Sequence, residues 1–172
     1  QVGLNVAADP LFSAAYTGVV GGFVIVTCDD PGPQSSQTEQ DSRLMALTAK
    51  VPVFDPATPA EALSMMQAAF ELSERHRVPV IFRPTTRVCH AVQSVDVNDS
   101  PNPLLSGKFG FKKDPQRWAA TPAFRLKLHH ELNAKLQAIE AEFETSPLNF
   151  VSGQSSANSH QPLGIITGGV TY

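Results

Sequence analysis

Three short apolar runs mark the first half of the chain, and the segments between them carry helical spacing. The runs are GGFVIVTC at 21–28, VPVF at 51–54 and VPVIF at 78–82. The first and the last contain almost no polar alternation, which is typical of strands buried on both faces of a parallel sheet. The middle run suits a short strand. We therefore predict three strands here, the first and the last of them buried.

Capping signals predict the helices on either side of the first strand. Asp9 is suited to be an N-cap with Pro10 at the first helical position, and Gly18 ends that helix. After the loop DDPGPQSSQ, residues 36–39 read Ser-Gln-Thr-Glu, which is the spacing of a capping box. We expect a helix to begin there and to run to about Ala49.

A second capping box stands between the second and third strands. It is the sequence Thr-Pro-Ala-Glu at 58–61, with a proline in the first turn. The helix that it starts is predicted to end near His76. Its apolar residues on one face are Leu63, Met66 and Phe70. Alternating strands and helices imply the α/β class, a parallel sheet with helices on both faces.

The second half of the chain changes character. Residues 93–121 are rich in Pro, Asn, Ser, Gly and Lys and are predicted to be a loop or an insertion. Pro122 then starts a long amphipathic helix, and a polar linker separates it from the apolar strand LGIIT. The helix carries apolar residues at helical spacing at Leu128, Leu132, Leu136, Ile139 and Phe143. The predicted organisation is an α/β domain at 1–92, the loop, helix and linker at 122–161, and the start of another domain at 162–172.

Composition and charge exclude several classes of protein. Hydrophobic residues make up 42% and charged residues 17% of the 172 residues, as in a soluble globular protein. The net charge is −3 and the basic residues are scattered, so the sequence has no basic patch that would bind nucleic acid or an anionic membrane. No apolar stretch approaches the roughly 20 residues that cross a bilayer. We therefore expect a cytoplasmic protein that binds neither nucleic acid nor membrane.

The two cysteines and the ends of the sequence add two expectations. Cys28 and Cys89 are too few to hold an iron–sulfur cluster, and the default interpretation is a pair of reduced, buried thiols. The chain opens at Gln1 without an initiator methionine and closes on LGIITGGVTY, an apolar strand running into Gly-Gly. Both ends are those expected of a piece cut from a longer polypeptide.

The loop after the first strand is the strongest candidate site by chemistry alone. Ligands of parallel sheets bind beyond the carboxyl ends of the strands, and a helix N-terminus favours anions. The polar and turn residues of this loop are Asp29, Asp30, Gly32, Ser35, Ser36, Gln37, Glu39 and Gln40. The alternative is that Asp29, Ser36 and Glu39 only satisfy turn and cap donors.

The segment RPTTRVCH at 83–90 is the second candidate. Arg83 or Arg87 is able to hold a carboxylate or phosphate with two hydrogen bonds. Cys89 and His90 are adjacent, and neighbours on an extended chain point to opposite faces, so a catalytic dyad is not expected. A structural arginine and a buried cysteine are favoured. Helical His76, His129 and His130 lack the spacing of a zinc site.

These blocks resemble a known family. The stretch GLNVAADPLFSAAYTGVVGGFVIVTCDDPGPQSSQTEQDSR is similar to the pyrimidine-binding domain of the alpha subunit of indolepyruvate ferredoxin oxidoreductases. The match continues in order through VPVFDPATPAEALSMMQAAFELSERHRVPVIFRPTTRVCH, SPLN and GIITGGVTY. The resemblance implies the α/β fold of a thiamine-diphosphate pyrimidine-binding domain, truncated at its N-terminal side.

The resemblance also implies an activity and partners. Such enzymes decarboxylate an aryl pyruvate oxidatively, join the product to coenzyme A and pass electrons through 4Fe-4S clusters to ferredoxin. The implied cofactors are thiamine diphosphate with Mg²⁺, in a site shared with a second (beta) subunit of an oligomer. The glutamate that protonates the aminopyrimidine, the Gly-Asp-Gly magnesium motif and the cysteine-rich segment are all absent from this sequence. The chain by itself is thus expected to be inactive, with no catalytic or metal residues of its own.

The resemblance implies contacts with the cofactor at several positions. Gly3, Leu4 and Asn5 are expected to face it from the end of a truncated strand. Asp29 and Asp30 occupy the substrate-facing strand end, where related pyruvate enzymes have an arginine. Gln37, Glu39 and Gln40 are expected to line the mouth of the cleft, while Arg87 and His90 are expected to be structural.

Two alternatives remain open. One is another ferredoxin oxidoreductase of the superfamily, acting on pyruvate, 2-oxoglutarate or a branched-chain 2-oxoacid. The other is a non-catalytic α/β interaction domain whose long helix from Pro122 binds a partner. The interaction domain predicts an exposed apolar patch on that helix, whereas the enzyme predicts a cleft at Asp29 to Gln40.

Overall fold

The computed structural model describes residues 2–32, 36–96, 110–119, 121–150 and 165–169. Its helices are α1 Val2–Val6, α2 Ala8–Thr17, α3 Arg43–Ala49, α4 Pro59–His76, α5 Thr86–His90, α6 Pro115–Trp118 and α7 Pro122–Glu144, and its strands are β1 Val24–Val26, β2 Val53–Phe54 and β3 Val80–Phe82. No helix among these residues is long and apolar enough to cross a membrane.

The three strands form one parallel sheet in the order β1-β3-β2. Val24 pairs with Val80 on one side of β3, and Val53 pairs with Ile81 on the other. Parallel neighbours need a crossover connection, and α4 supplies the one from β2 to β3 while packing on the sheet. The predicted α/β class with a parallel sheet is confirmed.

The burial of the strands differs from the prediction at β1. The central strand β3 is buried throughout, with Val80 and Ile81 fully inaccessible to solvent. In β1, by contrast, Val26 is 53% exposed and its two neighbours are only half-buried. The reason is position, because β1 has β3 on one side and no other described strand pairs with it. An apolar run therefore identified the strand but not its place in the sheet.

The core joins the sheet to helices from both halves of the chain. Its buried members include Leu4, Leu11, Phe54, Ala69, Leu72, Val80, Ile81, Phe82, Leu132 and Ile139. Phe143 of α7 packs edge-to-face on Phe54 of β2, with ring centroids 5.7 Å apart. The long helix from Pro122 is thus confirmed, and its buried stripe belongs to the same core as the sheet.

The first two helices correct the prediction for the start of the chain. Gly3 and its two successors were expected at a strand end, but they lie in α1. Leu4 is buried, and Ala7 donates a backbone hydrogen bond of 3.0 Å to Gly3. Burial of Leu4 against the core holds this segment in a helical turn. Helix α2 follows at once, so the predicted cap Asp9 lies inside its first turn, and the helix ends before Gly18 at φ 78°.

The helix predicted from Ser36 begins later, at Arg43. Ser36 donates its hydroxyl to the carbonyl of Thr38, and its backbone N–H donates to Asp30, so it belongs to a loop. Ser42 takes the N-cap position of α3, but its side chain does not cap the helix. Tertiary hydrogen bonds thus override the local capping signal.

The capping box of α4 is confirmed, although of its predicted apolar face only Met66 packs against the core. The Thr58 hydroxyl accepts a hydrogen bond of 3.2 Å from the backbone N–H of Glu61, and the helix ends at His76. Leu63 and Phe70 are 54% and 40% exposed. The fully buried face of α4 consists of Ala69, Leu72 and Ser73. Small side chains let the helix approach the sheet closely, which hydrophobicity alone did not reveal.

Two features of the second half also differ from the prediction. The predicted loop at 93–121 contains α6, where the Asp114 carboxylate accepts from the backbone N–H groups of Gln116 at 3.1 Å and Arg117 at 3.3 Å. The predicted strand LGIIT is not a strand in its described part, where Ile165 and Ile166 are exposed. A strand needs a neighbour for its hydrogen bonds, and no described strand pairs there. The predicted linker before it lies outside the described residues.

Candidate functional site

The carboxyl ends of the three strands bring charged residues together. Asp29 follows β1, Asp55 follows β2 and Arg83 follows β3. Parallel strands end at the same edge of their sheet, so these side chains meet there. Asp55 was not singled out from the sequence, although its place directly after the second apolar run was the available signal.

Arg83 bridges the other two strands and is only 3% exposed. Its Nε donates to Asp29 Oδ2 at 2.6 Å, and its Nη1 donates to Asp55 Oδ2 at 2.9 Å. Two carboxylates therefore neutralise this guanidinium inside the protein. Arg83 has the structural role favoured from the sequence, and it offers no free charge for an anionic ligand.

Asp29 is also committed to partners within the chain. Besides Arg83, it accepts hydrogen bonds of 2.6 Å from both the backbone N–H and the hydroxyl of Ser42. The residue is 1% exposed. Its backbone continues the pairing of β1 with β3 through a bridge to Thr85. Asp29 thus ties β1, β3 and the start of α3 into one unit, which explains why α3 starts after Ser42.

Asp30 fastens the loop that follows to α5. Its Oδ2 accepts from the backbone N–H of Ser36 at 3.0 Å, and its Oδ1 accepts from the hydroxyl of Thr86 at 2.8 Å. Its carbonyl accepts from the backbone N–H of Gln40 at 3.0 Å. With Asp29 and Asp30 as anchors, the segment from 36 to 41 is held across the edge of the sheet.

The rim of this edge is polar and open to solvent. Gln37 and Glu39 are exposed, and Gln40 is half-buried. Asp41 accepts hydrogen bonds from the Arg43 side chain at 2.9 and 2.7 Å, and these bonds lower its pKa to about 2. The arrangement leaves the three rim side chains at the outer surface of the loop, while the aspartates before them hold its base.

Unpartnered polar atoms lie under the same edge. Among the described residues, the buried side-chain oxygens without a hydrogen-bond partner are Thr27 Oγ1, Asp55 Oδ1 and Thr85 Oγ1. Each follows a different strand. Buried polar atoms are nearly always paired, so three exceptions at one edge distinguish it from the rest of the described structure.

Asp55 also borders a cavity of about 310 Å³. Burial raises its pKa, and the charge of Arg83 acts in the opposite direction. Gly169 closes over it, since a Cβ built there would lie 2.5 Å from Asp55 Oδ1. The cavity is also lined by Phe54, Glu61, Met65, Phe143, Leu148 and Thr167. Only glycine allows the chain to approach this carboxylate so closely.

Helix α1, which contains Gly3, Leu4 and Asn5, makes no described hydrogen bond or ion pair with the charged residues at the strand ends. The helix packs against α2. Leu4 points into the core, whereas Gly3 and Asn5 are exposed. Contact of these three residues with a cofactor stays a prediction.

The segment RPTTRVCH is partly helical, because residues from Thr86 onward form α5. Arg87 and His90 are exposed. Cys28 and Cys89 are free thiols, as expected, but both are exposed, so the expectation of buried thiols is wrong. The chain leaves each strand at the sheet edge, where less structure covers it. No cluster of three or more metal-ligating side chains occurs among the residues that the structure describes.

Comparison with curated proteins gives matches over the whole chain. It is 45% identical over 175 aligned positions to a protein named indolepyruvate oxidoreductase subunit IorA from Thermococcus kodakarensis. Proteins of the same name from Methanothermobacter marburgensis and Archaeoglobus fulgidus are 42% and 41% identical over 172 positions. The chain is homologous to these IorA subunits along its whole length. The resemblance inferred from the sequence is thereby confirmed.

The match has a clear limit. All of the chain is covered, but only 26 to 27% of each IorA subunit, so the chain spans about a quarter of the length of the curated relatives it matches. No protein-family model matches it, and no solved structure does. The strand-end edge therefore corresponds to one part of an IorA subunit.

Proposed function

We propose that this chain forms one wall of the cofactor and substrate site of an indolepyruvate ferredoxin oxidoreductase. The observation that carries the proposal is the match to IorA subunits over the whole chain, at 40 to 45% identity. The polar strand-end edge, with its three unpartnered oxygens, is the place in this chain that suits the role.

The chemistry proposed for the whole protein is oxidative decarboxylation of an aryl pyruvate to its coenzyme A thioester. Thiamine diphosphate would supply the electron sink, and 4Fe-4S clusters outside this chain would carry electrons to ferredoxin. A second subunit would complete the site, in keeping with the word subunit in the relatives' names. The role left to this chain is to position groups and to exclude water.

The strand-end residues suit one end of that cofactor better than the other. A diphosphate with Mg²⁺ calls for free cations or additional carboxylate ligands. Here the Arg83 guanidinium is already held by two aspartates and offers no free charge to a diphosphate. The aminopyrimidine end instead carries neutral hydrogen-bonding groups, which suit the side-chain amides of Gln37 and Gln40 at the rim. We therefore assign this chain to the pyrimidine side and leave the diphosphate to another part of the protein.

The eight site residues divide into three groups under this proposal. Asp29 and Asp30 position the loop through their internal hydrogen bonds. Gln37, Glu39 and Gln40 have the accessible side chains and would contact cofactor or substrate from the rim of the strand-end edge. The proposed contacts of the α1 residues Gly3, Leu4 and Asn5 would come from outside the strand-end network.

The alternatives are weaker on specific grounds. An interaction domain predicts an apolar patch on the long helix, but Leu128, Leu132 and Ile139 of α7 are buried in the chain's own core. Among the leucines of α7 in the described structure, Leu126 alone is exposed, at 68%, and a single leucine does not form a patch. A different 2-oxoacid substrate is opposed by the relatives' names, which specify indolepyruvate.

The test uses the full-length polypeptide with its partner subunit, purified without oxygen. We would follow ferredoxin reduction by indolepyruvate and coenzyme A, with and without thiamine diphosphate, and repeat it with pyruvate and 2-oxoglutarate. Cofactor-dependent reduction that is fastest with indolepyruvate is expected. Protein with intact clusters that reduces ferredoxin with none of these acids would end the proposal.

A matched pair of variants tests the contribution of this chain. Glu39→Gln is expected to lower kcat/KM by about tenfold, which corresponds to about 1.4 kcal/mol of lost interaction. Glu140→Gln, at an exposed position of α7, removes the same charge far along the chain and should leave kcat/KM unchanged. Equal effects of the two substitutions would argue that Glu39 has no part in the site.

A further inference from the structure

The two cysteines are far apart in sequence but lie at the same corner of the sheet. The bridge between Asp29 and Thr85 extends the β1–β3 pairing past the strands, which places Cys28 beside the chain that enters α5. Helix α5 then turns back over this point, since the backbone N–H of Cys89 donates to the carbonyl of Thr85 at 3.0 Å. One helical turn therefore carries Cys89 to the neighbourhood of Cys28.

Both thiols face outward. Along the chain after β1, Thr27 and Asp29 are buried while Cys28 between them is exposed, which follows the alternation of an extended segment. In α5, Val88 is buried and Cys89 is exposed. A pair of solvent-accessible thiols at one corner is open to oxidants, unlike thiols sealed inside a core.

The pKa of Cys89 agrees with this proximity. Partial desolvation of its sulfur and the neighbouring Cys28 thiol raise the pKa of Cys89. A raised pKa means that Cys89 holds its proton more firmly than an ordinary thiol does. In a stepwise exchange Cys89 is therefore the thiol that resolves the intermediate, and Cys28 attacks first.

We propose that Cys28 and Cys89 form a reversible intramolecular disulfide with a small-molecule disulfide as the oxidant. The Cys28 thiolate attacks the oxidant, forming a mixed disulfide and releasing one small thiolate. Cys89 then loses its proton and attacks the Cys28 sulfur, forming the protein disulfide and releasing the second small thiolate. The two cysteines lose two electrons and two protons in total, and the oxidant is reduced to two thiols.

The disulfide would join β1 to α5 beside the candidate site. Asp30, two residues after Cys28, already binds Thr86 in α5 through its carboxylate. A covalent link at this corner would hold the base of the 36–41 loop in one position. The proposal concerns the thiols only and stands whether or not the protein reduces ferredoxin.

The experiment uses the full-length protein that contains this chain, incubated with oxidised glutathione under argon. Free thiols are then alkylated, the protein is digested without reduction, and the peptides are identified by mass spectrometry. We expect a cross-linked pair of peptides carrying Cys28 and Cys89, which separates on addition of dithiothreitol. The link should form at least about tenfold faster in native protein than in denaturant, because the fold raises the effective concentration of the two thiols.

Cys28→Ser and Cys89→Ser are the controls. In Cys89→Ser, the glutathione adduct on Cys28 should accumulate, because no resolving thiol remains. Native wild-type protein that carries separate glutathione adducts, or unreacted thiols, at both cysteines would overturn the proposal. Oxidation that links either cysteine to a different partner would do the same.

Discussion

Arg83 offers the sharpest test of how the strand ends are held together. Its side chain is 4% exposed and lies between Asp29, whose side chain is 0% exposed, and Asp55, at 15%. Arg83→Met keeps much of the length of the side chain but removes both ion pairs. Asp29 retains its two hydrogen bonds from Ser42, whereas Asp55 keeps only the Arg43 guanidinium, 3.8 Å away. The variant thus leaves two carboxylates buried without their central cation.

The magnitude follows from this burial. Removing one partner of a buried ion pair costs about 3 to 5 kcal/mol, because the remaining charge stays desolvated. That is a large share of the roughly 5 to 15 kcal/mol by which a domain is stable. The matched control is Arg75→Met, since Arg75 pairs with Glu142 but its side chain is 53% exposed. An exposed pair contributes at most about 1 kcal/mol.

The assay is equilibrium urea unfolding followed by far-ultraviolet circular dichroism. We expect Arg83→Met to lower the free energy of unfolding by about 3 kcal/mol more than Arg75→Met does. Adding Asp55→Asn to Arg83→Met should recover part of the loss, because it removes one of the stranded charges. Equal free energies of unfolding for the two single variants would refute the view that Arg83 braces the strand ends.

Three further expectations concern individual residues. The pKa of Asp41 lies at about 2, below its usual 3.8, so its contribution to stability is present above pH 4 and is lost as the pH falls toward 2. Asp41→Asn should therefore flatten that part of a plot of unfolding free energy against pH. An unchanged slope would contradict this. Gly18→Ala should lower the free energy of unfolding in urea by about 1 to 3 kcal/mol, because φ is +78° and the new Cβ would lie 2.9 Å from the Arg77 carbonyl oxygen. In the control Gly21→Ala, the new Cβ meets nothing within 4 Å, so its stability should differ little from that of the wild type. Ser73→Ala should lower the free energy of unfolding by about 1 to 3 kcal/mol in the same assay. The buried Ser73 hydroxyl donates to the Val78 carbonyl at 2.7 Å and accepts from the Phe23 N–H at 2.8 Å. A loss below about 0.5 kcal/mol would show that water replaces the hydroxyl.

The candidate site shows where sequence reasoning worked and where it stopped. The rule that ligands bind beyond parallel strand ends pointed to the loop after β1, and the charged residues of the structure do gather at that edge. The same rule applied to the second strand would have selected Asp55, which directly follows Phe54. The hydrogen bonds of the Asp29 carboxylate with Ser42 and Arg83 were not predictable from the sequence, because those partners lie 13 and 54 residues away along the chain.

The capping boxes make the same point with two nearly identical signals. Thr58 with Glu61 caps α4 as predicted, because nothing else competes for the Thr58 hydroxyl in the described structure. Ser36 with Glu39 has the same spacing, yet its helix starts only at Arg43. There Asp30 draws the Ser36 backbone into the loop. A local motif forms its element only when no stronger distant partner is available to its polar groups.

By itself, the sequence determined the α/β class, the three strands, the long helix from Pro122 and the relationship to IorA, because periodicity and motif order are local and read directly along the chain. Only the tertiary structure decided that β3 is the central strand, that α1 is helical and that Arg83 joins two aspartates. It also brought Cys28 and Cys89 to one corner. These outcomes depend on which distant segments pack together, and the burial and hydrogen bonds gained there outweigh local preference.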